Sequence, residues 1–161
     1  MPSTAATRTL DARRIPYRIH VHRGAVRSIE QAAHERGLNP EQLVRSLVFR
    51  LGDGSFVLVL MAGAHQVSWP KLRRHLSVSR LTTASRDEVR QVTGYDPGAV
   101  SPFGLPAPLR ILADRGLLAH EMLSIGAGIP NAGIIIRRQD LLHALHPEMG
   151  DFQEAPSPQA A

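Results

Sequence analysis

Gly52-Asp53-Gly54 stands between two apolar runs of strand length, Val44–Leu51 and residues 55–61. Glycines on both sides of an aspartate let the chain reverse within a few residues, so the segment reads as a β-hairpin. Around it the pattern keeps changing period. Residues 5–14 can form a short helix that Pro16 ends. Residues 17–21 alternate as a strand, with Tyr17, Ile19 and Val21 on one face and Arg18, His20 and His22 on the other. Ser28-Ile29-Glu30-Gln31 is a capping box for a helix over residues 29–36, which Gly37 closes. Ser68 caps a helix through Leu76 with Pro70 in its first turn. A short strand near 79–82 follows, and Ser85 to Glu88 opens another helix that stops at Gly94. Residues 109–113, 122–125 and 133–137 read as strands, and 140–146 as a closing helix. Hairpins mixed with short helices predict an α/β (mixed α+β) fold: a single compact domain with a central mixed, largely antiparallel sheet surrounded by short helices. That domain is expected over residues 1–146. Residues 147–161, rich in Pro, Ala, Gln and Ser, are expected to form a disordered tail.

Composition narrows the chemistry. There are no cysteines, which removes disulfides, thiolate nucleophiles and zinc–thiolate sites together. No apolar run approaches the roughly 18 residues of a membrane span, and residues 1–10 lack the apolar core of a signal peptide. A cytoplasmic protein with no membrane partner is the expectation. The net charge of +5 favours an anionic partner such as nucleic acid, although the basic residues are scattered. Of the 19 basic residues Lys71 is the only lysine, leaving 18 arginines, so any one arginine in place of a lysine is weakly informative.

Residues 93–106 are the unusual stretch, with three glycines (Gly94, Gly98, Gly104) and three prolines (Pro97, Pro102, Pro106) alongside apolar Tyr95, Val100 and Phe103. Prolines stiffen the path, and glycines let bare backbone come close to a ligand, where exposed N–H groups can hold an anion or a developing oxyanion. A rigid tie between two elements would give the same composition. Gly126-Ala127-Gly128 is a tight turn by itself, not a dinucleotide fingerprint. His20 and His22 could begin a metal site, but no third ligand has the spacing for one, and polar surface residues are the simpler reading. Ser101 lies between Val100 and Pro102, not in a G-x-S-x-G elbow, which disfavours a serine hydrolase. No metal and no cofactor are expected.

Three blocks taken together resemble the YbaK family: Val44-Arg45-Ser46-Leu47-Val48-Phe49, then Thr93-Gly94-Tyr95 with residues 98–104, then Gly126-Ala127-Gly128. This family contains free-standing aminoacyl-tRNA deacylases related to the editing domain inserted in bacterial prolyl-tRNA synthetases. Its most specific element is the G-x-x-x-P motif, here Gly98 to Pro102. The resemblance implies hydrolysis of the ester joining a wrong amino acid to a tRNA 3′ end, often tRNA for proline. The implied partners are aminoacylated tRNA and a prolyl-tRNA synthetase or other translation factor. It implies no metal and no covalent intermediate. Arg45, Gly98 and Ser101 take the catalytic positions. Gly94, Tyr95, Val100, Pro102, Phe103, Gly104, Gly126 and Gly128 are implied to bind substrate. Relatives typically carry a lysine where this chain has Arg45, and the planar, always charged guanidinium is no simple replacement for an ammonium. A module that binds tRNA or an aminoacyl ligand without hydrolysing it is therefore the alternative. A nucleic-acid binder driven by charge alone is a third reading.

Overall fold

The computed structural model describes residues 1–155. Among these residues, five short α-helices and two sheets make up the fold. The helices are α1 (Ala5–Ala12), α2 (Ile29–Arg36), α3 (Trp69–Leu76), α4 (Arg86–Thr93) and α5 (Arg138–Leu145). The strands are β1 (Arg18–Val21), β2 (Val44–Leu51), β3 (Phe56–Ala62), β4 (Leu81–Thr83), β5 (Arg110–Asp114), β6 (Met122–Gly126), β7 (Ala132–Arg137) and β8 (Glu148–Gly150). Local chemistry sets several boundaries. Ser28 accepts from the Gln31 N–H to start α2, which Gly37 ends in the left-handed conformation. At α4 the reciprocal Ser85–Glu88 box is present, with bonds of 2.8 and 3.1 Å.

The fold is the expected mixed α/β one, with its strands in two sheets rather than one. One has the order β4-β2-β3-β5-β8 and the other β1-β7-β6. The second is antiparallel throughout, whereas the first joins antiparallel β4-β2-β3 to parallel β3-β5 and β5-β8 pairings. A bridge between Leu43 and Ser124 links them. Residues 57–61 are wholly buried because β3 has strands on both sides and core on both faces. Leu58 and Leu60 join the larger core, which reaches Leu10, Phe103, Leu123 and Ile134; Val57, Val59 and Met61 join the smaller one with Leu72 and Leu76 of α3.

The tail expected from residue 147 is corrected for its first part. Glu148–Gly150 is strand β8, and Phe152 is buried with its ring edge-on to His75 at 5.1 Å. Lys71 ties this segment down through Asp151 (2.9 Å) and the Gln153 carbonyl (2.8 Å). Residues 156–161 of the expected tail lie outside the described residues.

One gap in the ladder positions the site. Gly63 N–H donates to the Leu43 carbonyl and Leu51 N–H to that of Ser55, so odd-numbered residues of β2 turn their main-chain groups toward β3. Even-numbered residues face the other edge, where the Val48 carbonyl accepts from Ala84 at 3.0 Å. There β4 pairs only with Phe49, Arg50 and Leu51. Between it and the Leu43–Ser124 bridge, the edge of β2 away from β3 is left without a paired strand at Ser46 among the described residues.

Candidate functional site

Two adjoining cavities of about 340 and 350 Å³ open at this break. They share Arg45, Ser46 and Leu47 of β2 with Gly98 and Val100 of the loop. The first is walled largely by apolar groups, including Val67 and an edge-to-face aromatic pair, Phe49 and Trp69, with centroids 5.2 Å apart. Gln66, Thr83 and Arg86 supply its polar rim. The second cavity adds Arg36, Ser124 and Gly126. Among the described residues, no carboxylate, imidazole or phenol lines either one.

Gly98 has φ +87°, and a Cβ built there would meet no atom within 4 Å. The glycine is thus required by conformation and presents bare backbone to open space. The rest of the loop is turned inward. Tyr95 donates its hydroxyl to the Phe103 carbonyl, Ala99 N–H bonds the Asp96 carbonyl at 3.0 Å, and Gly128 N–H bonds that of Ala99 at 3.0 Å. Burial pushes the Tyr95 phenol up to about 12. Ser101 is fully buried and its Oγ accepts from the Phe103 N–H at 3.2 Å. Gly94 ends α4 in the left-handed conformation. A Cβ at Gly104 would fall 2.5 Å from the Ala5 carbonyl carbon, and one at Gly128 2.8 Å from the Tyr95 ring.

Of the sequence-derived residues, the structure therefore brings Arg45, Gly98, Val100 and Gly126 to the cavities. Ser101, Gly94, Tyr95, Pro102, Phe103, Gly104 and Gly128 border neither; they build the loop from beneath. The physical reason is that a loop holding Tyr95 and Phe103 needs its own core, and these two fill it. Gly126 is where β6 meets the loop, since a Cβ there would lie 2.7 Å from the Val100 carbonyl carbon and nearer still to its oxygen.

Arg45 is half-buried and already engaged. Its Nε donates to the Gly63 carbonyl at 2.8 Å and its Nη2 to that of His65. Burial draws its pKa below the ordinary arginine value, and does the same at Arg36. Sequence reasoning missed Arg36, Ser46 and Trp69. Ser46 Oγ is a buried hydroxyl without a hydrogen-bond partner among the described residues. Arg36, in the last turn of α2, donates through Nε to His22 Nε2 (3.1 Å) and through Nη1 to Ser124 Oγ (2.9 Å). His22, expected at the surface, is 6% exposed and pairs with Glu35 at 3.1 Å.

The family model described as the aminoacyl-tRNA editing domain matches residues 23–144. This chain belongs to that family. A proline--tRNA ligase of Bacillus licheniformis is 36% identical over 107 residues, 66% of this chain and 18% of the ligase. A proline--tRNA ligase of Streptococcus sanguinis is 37% identical over 101 residues, 63% of this chain and 16% of the ligase. The chain thus spans under a fifth of the length of these curated relatives. A solved structure described as a candidate trans-editing enzyme for prolyl tRNA synthetase superposes with TM-score 0.86 at 27% identity, over 96% of this chain and 100% of that one. Among the described residues no helix of this editing domain is long and apolar enough to cross a membrane.

Proposed function

We propose that this editing domain is a trans-acting aminoacyl-tRNA deacylase that hydrolyses the ester of a mischarged tRNA, with tRNA for proline the leading candidate. The observation that carries the reading is the meeting of Gly98 and Arg45 on the common wall of two cavities. The ester sits at that wall. Its acyl side chain enters the aromatic cavity and its ribose faces the arginine-lined one. Water oxygen bonds to the acyl carbon, the C–O bond to the ribose breaks, and the proton given up by the water ends on the ribose oxygen. Among the described residues, no side chain lining the cavities is a ready general base. Catalysis then rests on positioning and on main-chain stabilisation of the oxyanion, which suffices for an already activated ester. Discrimination comes from the volume of the aromatic cavity, where one methylene is worth about 1–3 kcal/mol.

A panel of mischarged tRNAs tests this directly. Ester cleavage of at least one is expected, and Gly98→Ala is expected to reduce its rate strongly, because the added methyl enters the space where the ester lies. Near-normal hydrolysis by Gly98→Ala refutes the geometry.

One observation favours a second reading, a module that binds without hydrolysing: the Arg45 guanidinium is spent on the Gly63 and His65 carbonyls. Arg45→Lys separates the two. A large gain in hydrolysis identifies a lapsed enzyme, and a loss identifies one adapted to arginine.

A further inference from the structure

We propose that the second cavity is a phosphate-binding site, in which Arg36 holds the phosphate of the terminal nucleotide whose ribose carries the ester. The proposal rests on the deacylase reading for the identity of its ligand.

Charge is the first support. Among the described residues, two guanidinium groups, Arg36 and Arg45, line this cavity and no carboxylate does. Guanidinium forks match phosphate oxygens in geometry and are weakly hydrated enough to work half-buried.

The second support is how firmly Arg36 is held. Arginine nitrogens only donate, so His22 Nε2, which receives Arg36 Nε, must be the unprotonated ring nitrogen. Nδ1 then carries the hydrogen and donates it to Glu35. Arg36 therefore donates on two sides, to Ser124 Oγ and to His22, which donates on to Glu35, and these bonds fix the plane of the guanidinium. Nη2 has no hydrogen-bond partner among the described residues. The group also lies in a slot made for it. A Cβ at Gly133 would fall 2.8 Å from Arg36 Nε and closer still to its Cζ.

The third support is placement. Gly126 and Gly133 are directly paired across β6 and β7, so both open toward the same face of the sheet. One receives the Val100 carbonyl and the other the Arg36 guanidinium. The loop that bears Gly98 and the fixed cation thus sit side by side. A nucleotide whose ester lies at Gly98 carries its phosphate a few bonds away, toward Arg36. The aromatic cavity on the opposite side takes the acyl group.

The test compares two probes that differ only in the phosphate, 5′-AMP and adenosine, by calorimetric titration at fixed ionic strength. Wild type is expected to bind AMP on the order of tenfold to a hundredfold more tightly than adenosine, the range of charge-assisted hydrogen bonds. Arg36→Gln should erase that difference while leaving adenosine binding in place. Arg36→Lys should keep part of it, and serves should the glutamine variant fail to fold. Inorganic phosphate is the third probe: competition as strong as that of AMP reveals a general anion site and overturns the nucleotide assignment. Equal affinity for AMP and adenosine in wild type, or an unchanged preference in Arg36→Gln, overturns the proposal altogether. These titrations need no turnover, so a wild type that hydrolyses no mischarged tRNA sinks the deacylase reading without deciding the phosphate site. In the hydrolysis assay Arg36→Gln should raise KM with little change in kcat.

Discussion

Gly126→Ala offers the sharpest test of how the loop is held. The new methyl would lie 2.7 Å from the Val100 carbonyl carbon, nearer still to the oxygen, whereas carbons in contact settle at about 3.5–4.0 Å. The two backbones must separate by about 1 Å. Because β6 is locked to β7 along five residue pairs, the loop is what yields. Overpacking of this kind costs about 1–3 kcal/mol. The displaced segment carries Gly98, and a shift of about 1 Å in a positioning element can cost on the order of a hundredfold in rate. Urea unfolding gives the first number, and hydrolysis of whichever mischarged tRNA the wild type cleaves gives the second. Gly24→Ala is the control, since a Cβ there meets nothing within 4 Å. If Gly126→Ala behaves like Gly24→Ala in both assays, the contact between β6 and the loop does not position the site.

Two further outcomes follow from buried rings. Burial raises the Tyr95 phenol to about 12, against about 10 in the unfolded chain. Its contribution is intact below pH 10 and falls as the unfolded phenol ionises, by up to about 3 kcal/mol between pH 10 and 12. Alkaline unfolding of Tyr95→Phe should lack that slope, and parallel curves for variant and wild type would contradict the assignment. Phe152→Ala should destabilise by about 3–5 kcal/mol in urea unfolding; a loss below about 1 kcal/mol would mean that the C-terminal segment adds little to the fold.

What the sequence made legible was mostly local. The α2 bounds and the two capping residues Ser28 and Ser85 could be read because a serine hydroxyl and its target amide lie three residues apart. The hairpin of β2 and β3 was legible for the same reason. By contrast β8 forms by parallel pairing with β5, whose partner residues lie 36 positions earlier, and is pinned by Arg110 bonds of 2.6 and 2.8 Å to Glu148. Nothing in residues 147–155 announces that. In the site, Gly98 and Arg45 could be found through motif blocks. Tyr95 and Phe103 drew attention for the right oddity, apolar bulk in a loop, but they face the loop's own interior. Arg36 is unreadable without the pairing that sets Gly126 opposite Gly133, because its slot is an absence of side chain on a distant strand.

The break in the ladder at Ser46 has an evolutionary consequence. Peptide groups along that rim are the same whatever residue stands there, so recognition built on them survives substitution of the side chains. On the deacylase reading proposed above, a lineage can reshape the aromatic chamber for a new acyl group while main-chain contacts to the common ester core stay untouched. A solved relative keeps this backbone at TM-score 0.86 with only 27% identity.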